Sequence, residues 1–322
     1  MKKILITGAT GFIGGHCLPL LARAGDETHA LSSKSFISDD SSVTWHQVDL
    51  LDAQASADLL ARLRPTHLLH LAWVTTPGDY WSSMQNHEWV RASFALLKNF
   101  GEQGGQRAVI AGSCAEYDWT DGYCSEFETP LNPSTLYGKC KNSLAQMTTS
   151  LAEQMKFSFA WPRLFFVYGP HEHPKKLIPS VISSLLNGEP AYCTEGTQRR
   201  DFLYVQDLAD ALVTLLHSEV TGPVNVASGE TIAVRDVVNT IAKKLNRKDL
   251  IRFGSISQNS NEPSILSADI TRLEKELGWR PTQSIESGLD LTIEWWQQGN
   301  GQSAKSKERS QSAKRQPIVL IS

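Results

Sequence analysis

The chain has no CxxC pair, no apolar run long enough to cross a membrane, and no surplus of either charge. Its five cysteines, Cys17, Cys114, Cys124, Cys140 and Cys193, are odd in number and scattered. That spacing argues against a disulfide framework and against a zinc site, and leaves them as reduced packing thiols. With 31 Lys and Arg against 34 Asp and Glu, the net charge is -3 and the pI about 6.3. No electrostatic case exists for a nucleic acid or an anionic membrane surface as partner, so any bound anion must be met by local groups. Met1-Lys2-Lys3 followed by Ile4-Leu5-Ile6 imitates the start of a signal peptide, but the apolar run breaks at Thr7-Gly8. The expectation is a cytoplasmic protein. His171-Glu172-His173 supplies two imidazoles with no third ligand in view, which reads as a loop turn, and no metal is expected.

What is present is ordinary material for a folded protein of 322 residues, 41% hydrophobic and 20% charged, enough for one large or two modest domains. The distinctive stretch is Lys2 to Gly15, KKILITGATGFIGG. Ile4-Leu5-Ile6 reads as a buried strand, Gly8 as a turn with positive φ, and Phe12-Ile13 as the opening of a helix. Gly11 lets the backbone approach a pyrophosphate, and Gly14 lets helix pack on strand. A diphosphate would sit on the unpaired N–H groups of the helix N-terminus, where the helix dipole favours its charge. The spacing is GxxGxxG rather than GxGxxG.

Strand and helix then alternate. Residues 28–31, 43–48, 67–71, 108–111, 157–164 and 224–227 read as buried strands of a parallel sheet. Segments 13–23, 175–187, 206–217, 232–245, 269–277 and 285–296 read as helices, with Gly278 as a stop signal. After the second strand, where a carboxylate would hold a ribose 2′-OH, the chain has Ser32-Ser33-Lys34, which suits a 2′-phosphate. Ser113 follows the fifth strand, at the carboxyl edge where ligands of an open parallel sheet bind. Tyr137 and Lys141 are four apart in a segment whose apolar positions, Leu136, Cys140, Leu144, Met147 and Leu151, keep helical spacing, so the two share one face. A lysine ammonium beside a tyrosine favours the phenolate and draws the phenol toward general acid/base work.

Together these motifs resemble the extended short-chain dehydrogenase/reductase family, which includes nucleotide-sugar epimerases, dehydratases and ketoreductases. The resemblance runs from Lys2 to about Trp296. It rests on Gly8-Ala-Thr-Gly-Phe-Ile-Gly14, Asp49-Leu50, His70-Leu71-Ala72, Ser113, Tyr137 with Lys141, Arg163 to Pro170, and Arg200-Asp-Phe-Leu-Tyr-Val205. It implies a doubly wound α/β Rossmann sheet with a smaller discontinuous cap, divided as residues 1–168 plus about 202–228 against 169–201 plus about 229–298. It also implies that Tyr137 exchanges a proton with a sugar oxygen to which Ser113 hydrogen-bonds, while Lys141 holds the nicotinamide ribose. Cofactor contacts would come from Gly8, Thr10, Gly11, Phe12, Ile13 and Gly14, from Asp49 at the adenine with Leu50, and from Leu71, Ala72 and Trp73. The nucleotide sugar would meet Ser113, Phe166, Lys176, Leu177 and Arg200. The arginine would reach the diphosphate, or form a local pair with Asp201 instead.

The sequence departs from the family in two places. Phe166 stands where many relatives carry Asn. The acidic pair that dehydratases place directly after their Ser or Thr is replaced by Cys114 and Ala115, with Glu116 out of register. Elimination across sugar C5 and C6 therefore lacks its acid/base pair. The sequence reads as an NADP(H)-dependent reductase of a nucleotide-linked 4-keto sugar, with NAD(H) as the alternative cofactor and a homodimer as the expected assembly. The rivals are a nucleotide-sugar 4-epimerase that keeps its NAD bound, and a non-catalytic cofactor-sensing protein. From 299 to 322 the chain is Gly, Gln, Ser and Lys rich and reads as a disordered tail.

Overall fold

The alternating pattern becomes a parallel sheet with helices on both faces. The structure, a computed structural model, describes residues 1–35, 41–257 and 262–299; the expected tail, from residue 300 on, and positions 36–40 of the polar loop after Ser32 lie outside the described residues. Strand β1 (Lys3–Thr7) leads into helix α1 (Phe12–Arg23), followed by β2 (Glu27–Ser32), β3 (Val43–Gln47) and α2 (Ala53–Leu63). Then come β4 (His67–His70), α3 (Gln85–Glu102), β5 (Arg107–Ile110), α4 (Leu136–Met155) and β6 (Ser158–Leu164). After α5 (Leu177–Leu186) and α6 (Val205–His217), β7 (Gly222–Val226) closes the sheet. The spatial order is β7-β6-β5-β4-β1-β2-β3 with every pairing parallel. The order turns back between β1 and β4, which opens a crevice at the carboxyl edge of those two strands.

Period-two alternation in β1 divides the core. Ile4 and Ile6 pack with Leu21 of α1 and Leu212 of α6, while Leu5 packs on the other face with Leu60, Leu97 and Leu144 of α2, α3 and α4. A second core lies in the cap, where α5, α7 (Val234–Lys244) and α9 (Ile285–Gln297) bury Ile182, Val237, Ile241, Leu289 and Trp296. The short helix α8 (Thr271–Lys275) packs Leu273 against the first core. Among the described residues no helix is long and apolar enough to cross a membrane.

The helix read over 269–277 is shorter, Thr271–Lys275, and three further features differ from the sequence reading, each for a local reason. Ile232–Ala233 is a strand, because Arg199–Arg200 offers it an antiparallel edge, and the helix starts at Val234. The helix expected from residue 175 starts at Leu177, with Lys176 in extended backbone as its N-cap residue. In α4 the expected apolar position Met147 is 37% exposed, and the buried stripe passes through Thr148 instead. The Thr148 hydroxyl donates to the Leu144 carbonyl at 2.7 Å, so a polar residue one position along completes the face.

Candidate active site

The turn after β1 is built from close main-chain contacts. Gly8 has φ +68, and a Cβ there would lie 2.8 Å from the Ala72 nitrogen. A Cβ on Gly14 would lie 2.2 Å from the Gly8 carbonyl oxygen, so strand and helix touch backbone to backbone. Gly11 is the N-cap residue of α1; no side chain caps this end and no acidic residue occupies its first turn. The N–H groups opened by Phe12 and Ile13 therefore fit a diphosphate. Thr7 ties the turn to β4: its Oγ accepts from the Leu71 and Ala72 N–H groups at 3.2 Å and donates to His70 Nδ1 at 2.7 Å. His70 Nε2 then donates to Ser93 at 2.8 Å. Burial holds this imidazole neutral, its pKa pushed down to about 3.

Further along the carboxyl edge, Ser32 ends β2 and is buried, its hydroxyl accepting from the Lys34 N–H at 3.2 Å, while Ser33 and Lys34 are exposed. Asp49 lies exposed past β3, its carboxylate accepting from the Leu51 N–H, with Leu50 buried beside it.

Ser113, Tyr137 and Lys141 meet at the other side of the crevice. Ser113 lies on a short strand, Gly112–Ser113, that continues the sheet beside β6. Thr135 caps α4, its hydroxyl accepting from the Gly138 N–H at 3.0 Å, and the helix then carries Tyr137 and Lys141 one turn apart. Lys141 is 4% exposed, donates to the Ala111 carbonyl at 2.9 Å and lies 3.7 Å over the centre of the Trp73 ring. Burial pulls its pKa down to about 7, with the Glu116 charge acting against the shift. Tyr137 behaves otherwise than the sequence reading expected. Burial raises its phenol, a hydrogen bond from Ser113 acts to lower it, and Lys141 exerts no resolved pull. The reason is the order of titration: burial lowers Lys141 to about 7, so the amine has lost its charge well before the phenol, raised by burial above its usual range, would ionise. Here Tyr137 is a phenol, the form that donates a proton.

An aromatic wall that the sequence showed only as a cluster surrounds Tyr137. Tyr80, Trp81 and Trp73 meet its ring edge to face at 5.1, 5.7 and 6.5 Å. The Tyr137 N–H donates to the Trp81 carbonyl at 3.1 Å, which fastens this loop to the start of α4. Asn86 fixes the loop from inside: fully buried, it donates to the Tyr80 and Ser83 carbonyls and accepts from the Trp73 indole at 2.8 Å. Nothing in the sequence signalled that asparagine. The Trp81 indole N–H is buried with no partner, a donor free for a ligand oxygen.

The cap side brings the remaining residues close. Lys176 lies 5.3 Å over the Tyr80 ring and Leu177 opens α5, which places both beside the aromatic wall. Glu172, with one buried oxygen unpaired, is raised by burial and drawn back by Lys176. Arg200 is 1% exposed and pairs with Glu262 at 2.6 Å and the Pro263 carbonyl at 2.9 Å, over the Phe166 ring. The alternative pairing with Asp201 does not form, because Asp201 accepts from Ser228 and from the Gly229 N–H instead. The Arg200 Nε is buried and unpaired. Among the described residues no group of three metal-ligating side chains converges, around His171 and His173 or elsewhere.

Known proteins resemble this chain in sequence and in fold. The chain is 26% identical to dTDP-glucose 4,6-dehydratase of Neisseria meningitidis, covering 92% of this chain and 93% of that one. It is 27% identical to dTDP-4-dehydro-6-deoxyglucose reductase of Escherichia coli, covering 90% and 96%. The solved structure of MoeE5 in complex with UDP-glucose and NAD superposes with a TM-score of 0.81 at 28% identity, over 92% of this chain and 99% of that one. A glycine turn at β1, a Ser-Tyr-Lys group at the carboxyl edge and a family profile matching residues 4–227 agree: this chain belongs to the NAD-dependent epimerase/dehydratase family.

Proposed function

We propose that this protein is an NADP(H)-dependent reductase of a nucleotide-linked 4-keto-(deoxy)sugar. The observation that carries the reading is the fate of the three residues after Ser113. Cys114 and Ala115 are buried and carry no acid/base group of use, and the Glu116 carboxylate is fully buried, turned into bonds with the Ser113 N–H, Trp161 and Arg163. A carbonyl reduction asks for one proton donor and one hydrogen bond to the same oxygen, whereas elimination asks for a further pair at the neighbouring carbons.

A dihydronicotinamide supplies the hydride when bound. Tyr137 donates its phenolic proton to the carbonyl oxygen as charge develops there, and Ser113 holds that oxygen through its hydroxyl. Lys141, one turn along α4 from Tyr137, binds the nicotinamide ribose. Gly8 to Gly14 with the start of α1 receive the cofactor diphosphate, and Ser32, Ser33 and Lys34 the 2′-phosphate. Leu71, Ala72 and Trp73 floor the nicotinamide end, while Asp49 and Leu50 take the adenine. Lys176 serves the sugar nucleotide's phosphates; Arg200, buried over Phe166 and paired with Glu262, has only its unpaired Nε left to offer them, and the free Trp81 indole is turned to a sugar oxygen. Relatives that act on dTDP and UDP sugars favour a nucleotide sugar over a free one. The same reading takes the enzyme as a cytoplasmic homodimer.

The test is a panel of nucleotide 4-keto sugars offered with NADPH or NADH, following loss of the dihydronicotinamide absorbance. The expected result is turnover of at least one keto sugar with a preference for NADPH. Equal use of both cofactors would remove the 2′-phosphate assignment, and 4-epimerisation without added cofactor would replace the reduction.

A further inference from the structure

Glu116 is tied into more bonds than its turn requires. It lies three residues after Ser113, in a one-turn 3-10 segment, Cys114–Glu116, whose ends form a capping box. A glutamine would serve such a box equally well, since one acceptor oxygen suffices. Here a full carboxylate, 0% exposed, is clamped from three directions. The Ser113 N–H donates to it at 2.7 Å, the Trp161 indole to both oxygens at 3.0 Å and the Arg163 Nε at 3.0 Å. Arg163 in turn donates to the Tyr117 hydroxyl at 2.9 Å, which donates to Asn225 at 2.7 Å. The chain is shaped around the clamp: a Cβ on Gly112 would fall 2.3 Å from the Trp161 nitrogen and 2.8 Å from a Glu116 oxygen. A buried ion pair seldom repays its desolvation in stability, so a charge kept here calls for another use.

We propose that Glu116 is a positioning residue of this site: it fixes the Ser113 main chain against Tyr137 and sets a counter-charge behind Lys141. The inference rests on the reductase reading above. The electrostatics agree in direction. The Glu116 charge raises Lys141, opposing its burial, and raises Tyr137, favouring the phenol over the phenolate. Other groups face these two. His70 of β4, close enough to feel the Lys141 charge, is neutral, and the Tyr80 phenol and Cys114 thiol beside Tyr137 are held protonated by burial. Arg163 pairs with Glu116 at 3.0 Å. Removing the Glu116 charge therefore lets both Lys141 and Tyr137 lose their protons at lower pH, and both changes move the alkaline limb of activity the same way.

The experiment compares Glu116→Gln with Trp161→Phe, which removes a donor from the same carboxylate but leaves its charge. For Glu116→Gln the alkaline limb of kcat should move acidward by about one pH unit and kcat at neutral pH should fall about tenfold, with KM for the sugar within about twofold. The alkaline limb of NADPH binding, followed by tryptophan quenching, should move acidward by the same amount, and Trp161→Phe should leave both limbs in place. An unmoved limb in Glu116→Gln, or an equal shift in Trp161→Phe, overturns the proposal. If Glu116→Gln does not fold, Glu116→Asp keeps the charge on a shorter stem: reduced kcat with an unmoved limb supports the assignment, and wild-type kcat overturns it. A wild type that reduces no keto sugar, while its NADPH binding limb still shifts in Glu116→Gln, refutes the reductase reading and leaves the Glu116 role standing.

Discussion

The two sides of the crevice are made of different materials. From β1 through the start of α1 the fit is backbone against backbone, with a Gly8 Cβ excluded by Ala72 and a Gly14 Cβ excluded by the Gly8 carbonyl. From Ser113 across α4 to the cap the fit is side chain against side chain: Tyr137 among Trp73, Tyr80 and Trp81, Lys141 over Trp73, Arg200 held by Glu262. A main-chain site tolerates almost no change, because any added atom meets backbone that cannot move. A side-chain site can be refitted to a new substrate or reaction while the fold stays. Relatives that share the fold yet carry the names dehydratase, epimerase and reductase fit that division.

The largest expected effect lies on the side-chain half. Tyr137→Phe removes one oxygen and keeps the ring among its aromatic neighbours, so turnover should fall by about two to four orders of magnitude while NADPH binding persists. Near wild-type turnover would remove Tyr137 as proton donor. On the backbone half, Gly14→Ala forces a methyl to within 2.2 Å of the Gly8 oxygen. It should cost about 1–3 kcal/mol of stability together with cofactor affinity, read by thermal melting and NADPH titration. A variant that melts like the parent and binds NADPH equally would show that this contact relaxes freely.

A smaller effect is expected where the two halves offer only exposed side chains. Ser33→Asp sets a carboxylate against a 2′-phosphate and should shift the NADPH to NADH preference by about tenfold in kcat/KM. A pH effect, spread over several units, concerns the seam between the halves, Thr7–His70–Ser93. The folded protein holds His70 neutral down to about pH 3, whereas the unfolded chain takes up the proton near 6.5. The unfolded state therefore binds more protons across that window, and stability falls as pH falls from about 6.5 toward 3, by at most about 1.4 kcal/mol per unit from this group. His70→Gln should flatten that part of the melting profile. An unchanged slope would place the acid sensitivity elsewhere.

The same division explains what the sequence could show. The glycine turn was legible because only glycine satisfies those contacts, and the parallel sheet because its central strands β1, β4 and β5 are buried and apolar; the expected burial of the edge strand β3 does not hold, since only Val43 of Val43–Gln47 is buried. Tyr137 and Lys141 were legible by helical spacing, but their electrostatic relation was not. That relation is set by burial, which lowers Lys141 and raises Tyr137, among groups such as the Ala111 carbonyl that Lys141 bonds 30 residues back in the chain, a separation no local pattern carries. Asn86 and the Glu262 partner of Arg200 stayed hidden for the same reason: each is defined by the groups it meets across the fold, not by its neighbours in the chain. Glu116 was visible only as an acid out of register, and its clamp depends on Trp161 and Arg163, alternate residues of β6.

The central claim is reduction at a single carbonyl. The most direct measurement is a single-turnover reaction of this protein with NADPH and one nucleotide 4-keto-6-deoxy sugar, with the nucleotide products identified by mass and NMR. The account predicts one NADPH oxidised for each keto sugar consumed, one alcohol formed with a single configuration at C4, and no release of a 4-keto product when a nucleotide hexose is offered instead. A 4,6-dehydrated product from the hexose, or 4-epimers interconverting without added NADPH, would contradict it.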